Sequence, residues 1–489
     1  MHGDATQNAT LTGAQSLEVA LQLSLHGVVR GWHKNYMLIP HQLYENSMEK
    51  EITIKKKITE DTKFALPIKI KKVLYKGKLL VISPETANWI MLENEEQWQF
   101  FQLLTSFDLG NALRQFHGAY SNAQYTVTQI VAKHFENHTS KLKNNGGSMQ
   151  MYLTNECNMR CPHCYMFAGL KKDRELSTEE IFEIIRIFKK YDGKTIVFSG
   201  GEIAIRKDLV EILQYSYDLG ISNEVLTNGT LWNADLVQKI APLIARVQIS
   251  VDGYDEATNS RIRGKGNFSR ALKTVDLFYN THVDTEISVT PYLDNDLAED
   301  YQCYIDFARM LNQKYSRANF LVKFTFDILN GRDICVTEKQ KKIYQNIITK
   351  IYNELYGDFI DKPFLEFHKH GGIENNCDYG NVAISADGNV CLCPIIPEMK
   401  PVGNIRINNL DELFTIAQKA RLLSDINNLS PCKNCELKYI CGGECRIKHF
   451  SGFKENDLSK IASSKRTCTQ EHKNSFYDMM IKLNEDMYM

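Results

Sequence analysis

No cysteine precedes position 157; three then fall at 157, 161 and 164, Cys303 and Cys335 stand alone, and the other eight lie between 377 and 468. Clusters at short fixed spacing, in a chain without an export signature, read as metal ligands rather than disulfides, so two segments must fold around soft-ligand sites. The implied compartment is a reducing cytoplasm. The run Leu17 to Leu25 is broken by Glu18, Gln22 and Ser24, which spoils it as a signal-peptide core. No stretch approaches the roughly 18–20 apolar residues of a membrane span. With 58 basic against 59 acidic side chains the net charge is -1, which excludes a global polyanion binder, so neither nucleic acid nor membrane is expected as a partner. A length of 489 residues, 43% hydrophobic and 24% charged, suits a globular protein of about two to four domains.

Residues 1–62 carry no sustained periodicity and read as an N-terminal extension, with Lys55-Lys56-Lys57 near its end. Residues 63–140 form the next unit. Ile68 to Leu74, Leu79 to Ile82 and Trp89 to Leu92 are three short β-like runs. Asn94 can cap one helix and Asp108 a second, and a third is expected over Val127 to Phe135. A sheet followed by three helices suggests a winged-helix-like module, ended by the Gly/Asn-rich linker 141–148. From 148 to 330 the chain alternates. Strands are expected at Met149–Leu153, Thr195–Phe198, Glu224–Leu226, Arg246–Val251, Thr285–Thr290 and Val322–Phe326. Helical patterns at Thr178–Lys190, Lys207–Leu219, Ala234–Ile244, Phe268–Asn280 and Ala298–Leu311 separate them, which makes a parallel α/β array that right-handed crossovers would curl into an open barrel. A helical bridge at 331–370, a Cys-rich domain at 371–470 and a helix at 471–489 complete the chain.

Cys157-Asn-Met-Arg-Cys161-Pro-His163-Cys164 puts three thiolates in the loop after the first strand of the array. Three cysteines on a [4Fe-4S] cube leave one iron without a protein ligand, whereas structural zinc wants a fourth ligand, for which His163 is the obvious candidate. This motif in the first βα loop resembles the radical S-adenosylmethionine superfamily. The resemblance implies that Cys157, Cys161 and Cys164 are the catalytic cluster ligands, that S-adenosylmethionine binds the open iron, and that its reductive cleavage gives a 5'-deoxyadenosyl radical. Ser199-Gly200-Gly201-Glu202 resembles the family's GGE motif, in which the glycines allow close approach and Glu202 receives the methionine ammonium. By the same resemblance Ser250, in Ser250-Val-Asp252-Gly253, faces the ribose, and Arg263 of Arg261-Ile-Arg263-Gly264, or Arg270, meets the cofactor's carboxylate. His163 is counted among the cofactor contacts, and Thr227-Asn228-Gly229 fits the same pattern. Taken singly, such Gly-rich stretches are more often turns; their joint order after the cysteine motif carries the reading.

The C-terminal cysteines match the seven-cysteine SPASM pattern, which implies two auxiliary [4Fe-4S] clusters and so three clusters in all. By position Cys377, Cys393 and Cys445 would hold the first auxiliary cluster, and Cys432, Cys435, Cys441 and Cys468 the second. Cys391, His370 or Asp378 could complete the first; Cys391 alternates with Cys393 on a strand and is not expected to bind the same cluster. A pair of zinc knuckles is the plain alternative. Cys303 and Cys335 read as small apolar packing residues.

The module at 63–140 resembles RiPP recognition elements, in which a leader peptide adds a strand to a sheet edge. Lys69, Lys71, Lys72, Lys76 and Lys78 crowd its first strands, either to attract an acidic leader or to defend a solvated edge. A DNA-binding winged helix is disfavoured, because the second helix offers only Arg114 as a strong contact. The whole resembles a radical S-adenosylmethionine/SPASM maturase that cross-links a ribosomally made precursor peptide through a thioether or carbon-carbon bond, with a flavodoxin- or ferredoxin-type electron donor. Alternatives are a peptide epimerase, a formylglycine-forming sulfatase-type maturase, whose aspartate after the cysteine matching Cys393 is replaced by Pro394, and a non-catalytic zinc-binding peptide scaffold.

Overall fold

The computed structural model describes residues 58–136, 147–293, 297–356, 377, 379–395, 399–456 and 468–486. Most of the N-terminal extension, the linker at 141–146, the bridge beyond 356, and the candidate ligands His370 and Asp378 lie outside them. The chain divides into two compact units, whose described parts are 58–136 and 147–486.

In the first unit, β1 (Lys71–Tyr75), β2 (Lys78–Ser83) and β3 (Asn88–Leu92) form an antiparallel sheet with Leu74 opposite Leu79 and Val81 opposite Ile90. Lys76 and Gly77 both have positive φ, 47° and 76°, as a two-residue hairpin needs to follow the strand twist. Three helices follow: α1 (Glu95–Ser106), α2 (Leu109–Gln115) and α3 (Tyr120–Ala132). The Asn94 and Asp108 side chains accept from the Gln97 and Asn111 amides at 3.0 and 2.8 Å. Leu79, Val81, Ile90 and Leu92 from the sheet pack on Phe100, Phe101, Leu104 and Ile130 from the helices. Helix α3 starts seven residues before the expected Val127, because Ala119 at its N-cap offers no side-chain bond for a sequence reader to find. Among the described residues β1 pairs only with β2, and Ile68 and Leu74 beside and on it are exposed.

The second unit is built on one nine-stranded sheet. Strands β4 (Ser148–Tyr152), β5 (Thr195–Ser199), β6 (Ser222–Thr227), β7 (Arg246–Ser250), β8 (Asp284–Val289) and β9 (Phe320–Phe324) lie parallel and in chain order. Between them run α4 (Thr178–Lys190), α5 (Leu209–Asp218), α6 (Ala234–Ile240), α7 (Glu256–Arg263), α8 (Asn267–Tyr279) and α9 (Leu297–Lys314), and α10 (Glu338–Tyr356) follows. Alternation along the strands separates two faces. Met149, Met151, Ile196, Phe198, Val247, Ile249 and Ile287 are fully buried, whereas Gln150, Ser199, Gln248, Ser250 and Lys323 on the opposite face are only half-buried.

Strictly sequential parallel strands wind in one direction, as in a barrel, but this sheet stays open. The second edge of β4 is taken by β10 (Val382–Ile384), in parallel with Val382 opposite Met149, and β11 (Asn389–Cys391) and β12 (Gly403–Asn404) continue outward. The fold is therefore α/β with a partial barrel, and the Cys-rich region extends its sheet. Among the described residues no helix is long and apolar enough to cross a membrane.

Candidate active site and cysteine sites

The loop after β4 carries Cys157, Cys161 and Cys164, all half-buried. It is fastened from three sides. Gly201 and Glu202 donate their amides to Thr154 O and Glu156 O, each at 2.8 Å. A Cβ on Gly201 would sit 2.1 Å from Glu156 O, and one on Gly200, whose φ is 148°, would sit 2.5 Å from Thr154 O. These glycines are needed because one strand end presses against the next. On a second side the Cys157 amide reaches Gly169 O at 3.0 Å, and Gly169 returns a bond to Asn155 O at 2.8 Å. On the third, Arg332 donates to Cys161 O at 3.1 Å and to Ala168 O, while Asp333 donates its amide to Pro162 O at 2.9 Å.

Glu202 is wholly buried, and its oxygens accept from Thr227 Oγ1 (2.7 Å), the Asn228 amide (2.8 Å) and the Ala204 amide (3.1 Å). Burial raises its carboxyl, against the pull of those donors. Its partners within the chain are thus Thr227 and Asn228 at the end of the next strand and Ala204 of its own loop. Arg263 likewise meets a carboxylate of the chain itself: its Nε donates to Asp252 Oδ2 at 2.5 Å. Asp252 is buried, which alone would raise its carboxyl; the charge of Arg263 and the hydrogen bond from His163 overcome this and hold it at about 2. His163 Nε2 lies 3.2 Å from the same oxygen. With that nitrogen donating, Nδ1 is left as an acceptor, and it is buried without a hydrogen-bond partner. Ser250 is half-buried at the end of β7, opposite Ser288. Asn228 lies at the end of β6, with Nδ2 3.9 Å from Cys157 Sγ.

Burial pushes the Cys157 thiol up to about 11 and raises Cys161 as well. Such thiols keep their protons until a metal displaces them. Three half-buried soft donors that act on one another, beside a His163 Nδ1 without a partner among the described residues, fit an iron-sulfur cluster with one open iron and a small ligand next to it. Among the described residues the one group of three donors within 4.8 Å of one another, as a single ion would need, is Cys441, Glu444 and His472 rather than this triad.

The C-terminal thiols form two neighbourhoods. Cys377 and Cys445 are hydrogen-bonded, so Cys377 is held below the ordinary thiol value while Cys445 is raised; Cys393 acts on Cys445, and Arg446 donates its amide to Cys377 Sγ at 3.3 Å. In the other, Cys435 interacts with Cys468, while buried Arg446 stands between the two, acting on Cys377 first and then on Cys432, Cys441 and Cys445. Burial pushes Cys391, fully enclosed at the end of β11, up to about 12. Cys303 and Cys335 are exposed, against the expectation that they pack in the core. Cys303 sits on α9, and Cys335 on the connector before α10.

Residues 151–304 match the model of the radical SAM superfamily, and residues 377–436 match that of the SPASM iron-sulfur cluster-binding domain. The Fe-coproporphyrin III synthase of Methanosarcina barkeri is 39% identical over 332 residues, covering 60% of this chain and 82% of that protein. The chain belongs to the radical SAM superfamily. Within it, the mycofactocin maturase of Mycolicibacterium smegmatis is 27% identical over 322 residues, 61% of this chain and 78% of its own. The antilisterial bacteriocin subtilosin biosynthesis protein of Bacillus subtilis is 24% identical over 266 residues, 54% and 58% of the two chains. This radical SAM protein holds its cysteine loop with Arg332, Asp252 and the Tyr152–Tyr165 pair, whose hydroxyls are 3.4 Å apart while Tyr152 donates to Pro394 O at 2.5 Å. Motif spacing exposes none of these contacts, and those of Arg332 and Pro394 join segments far apart in the chain.

Proposed function

We propose that the chain is a radical SAM/SPASM maturase that oxidatively modifies a ribosomally made precursor peptide, by a thioether or carbon-carbon cross-link. The observation that carries the reading is the triad Cys157, Cys161 and Cys164, clamped at the C-terminal end of β4, where the parallel array opens and barrel active sites assemble. A [4Fe-4S] cluster with S-adenosylmethionine at its open iron supplies one-electron cleavage to a 5'-deoxyadenosyl radical that abstracts an unactivated hydrogen. The three thiolates hold that cluster. The clamps from Gly201, Gly169 and Arg332 keep the loop rigid, which fixes the reacting distance. His163, oriented by Asp252, presents Nδ1 as an acceptor for the cofactor, and Ser250 and the glycine-lined strand ends border the same space. Cys377, Cys393 and Cys445, and Cys432, Cys435, Cys441 and Cys468, would hold two auxiliary clusters, whose chemistry would be one-electron acceptance suited to a net oxidation.

Names among the relatives support a peptide substrate, a maturase and a bacteriocin biosynthesis protein, and the module at 58–136 supports it independently with an edge strand suited to a leader. The 39% identity to a coproporphyrin enzyme favours a second reading, in which the substrate is a tetrapyrrole. Two experiments divide these. A Cys157→Ala/Cys161→Ala/Cys164→Ala variant should lose 5'-deoxyadenosine formation yet keep auxiliary iron; retained cleavage contradicts the site. A precursor peptide should be modified by the full chain and lose most turnover when its leader is removed. Conversion of coproporphyrin instead would establish the second reading.

A further inference from the structure

The loop that carries the triad continues into an outward face that the chemistry above does not use. Phe167 is 55% exposed and Leu170 80% exposed, three and six residues after Cys164. This exposure is held in place. Phe167 has φ of 52°, a left-handed conformation rare for a bulky residue, and its amide is bonded to Cys164 O at 3.2 Å. Ala168 O is held by Arg332, Gly169 is bonded through both amide and carbonyl, and Leu170 O accepts from Asn155 Nδ2 at 2.9 Å. A backbone so fully bonded presents its two apolar side chains to solvent as fixed features rather than as a loose loop tip.

The exposed charge around them is mainly basic. From Glu156 to Glu175 the sequence has Arg160, Lys171, Lys172 and Arg174 against exposed Asp173 and half-buried Glu156 and Glu175, the last of which is bonded to Thr154 and Asn155. All four basic residues are exposed, although Lys172 also reaches Asp387 at 3.1 Å. Two apolar anchors within a basic rim suit a small acidic protein. The anchors are joined to Cys164 by the backbone itself, so a partner seated there comes close to the triad.

We infer that Phe167, Leu170 and the rim of Arg160, Lys171, Lys172 and Arg174 form the docking face for the one-electron donor, a small carrier with an acidic surface around its redox group. The inference rests on the radical reading, which requires one electron per cleavage at the triad. A partner here delivers that electron through the loop and leaves the polar face of the sheet to substrate.

The test uses the full reconstituted chain and two electron sources: a purified flavodoxin in its hydroquinone form, and dithionite, which needs no docking face. Bleaching of the iron-sulfur absorbance by stopped flow and 5'-deoxyadenosine formation are both followed, for wild type, for Phe167→Ser/Leu170→Ser and for Lys171→Glu/Arg174→Glu. Both variants should slow flavodoxin-driven bleaching about tenfold and leave dithionite-driven bleaching unchanged, and the wild-type flavodoxin rate should fall as salt rises. Equal slowing with both reductants would make the loop merely structural. No slowing with either, a wild type that flavodoxin does not reduce, or a raised KM for the precursor peptide at an unchanged flavodoxin rate would each overturn the assignment. Wild type that bleaches with dithionite but forms no deoxyadenosine contradicts the radical reading separately.

Discussion

Asp252 accepts from Arg263 and the Thr290 amide, and its Oδ2 also faces His163, all in a place solvent does not reach. Replacing it with Asn leaves the guanidinium buried without its counter-charge, so Asp252→Asn should cost about 3–5 kcal/mol in urea denaturation. A change under about 1 kcal/mol would show that the pair is not holding the strand ends together. Asp208 shows the opposite use of charge, at the margin. Burial by itself raises its carboxyl, but hydrogen bonds from Arg206 and Thr178 outweigh that and bring it to about 2. A folded-state value below the unfolded one of about 3.9 means this stabilisation is complete above pH 4 and is lost as pH falls toward 2. Asp208→Asn should therefore flatten the acid-denaturation curve between about pH 4 and 2, and identical curves would contradict the assignment. Spacing singled out Glu202 and Arg263, but not the partners they meet within the chain. A motif says which side chain stands at a strand end and nothing about which backbone and side chains of other segments lie against it.

At the scale of elements, the GGE stretch acts as a hinge plate for the cysteine loop, so Gly201→Ala should disturb the triad before it disturbs the sheet. The added Cβ meets backbone oxygen at 2.1 Å, which no side-chain rotation relieves. The expected result is loss of about four irons per chain with auxiliary iron retained; full iron content would refute the packing argument. Helices were read well where polarity announced them: α4 falls at the expected Thr178–Lys190, and α10 (Glu338–Tyr356) lies within the expected bridge at 331–370. Helix α7, only Glu256–Arg263, was not anticipated, because eight residues of polar sequence give too little periodicity. In the N-terminal unit the lysine run is less available than composition suggests. Lys69, Lys72 and Lys78 pair with Glu85, Glu95 and Glu93, Lys76 lies over the Tyr75 ring, and Lys71 is exposed at the start of the edge strand. If a leader adds to that edge, Val73→Pro on β1 should weaken leader binding at least tenfold by fluorescence anisotropy, because proline removes a ladder donor and kinks the edge. Unchanged affinity would place the leader elsewhere.

The whole molecule joins a sheet-and-helix unit to an open parallel array whose sheet runs on into the Cys-rich region. Alternating strand and helix patterns made the array readable, since each strand is backed by an amphipathic helix. The extension β10–β12 was not, because strands of two or three residues carry no period and their place beside β4 is set by long-range pairing. That pairing matters to the account. It fixes the segment bearing Cys391 and Cys393 to the strand that leads into the triad, so the two kinds of thiol site stand on one rigid sheet. The most direct test is the iron, sulfide and zinc content of the anaerobically reconstituted protein, together with 5'-deoxyadenosine after addition of dithionite and S-adenosylmethionine. The account predicts about twelve irons and twelve sulfides per chain with deoxyadenosine formed. Stoichiometric zinc, little iron and no deoxyadenosine would contradict it.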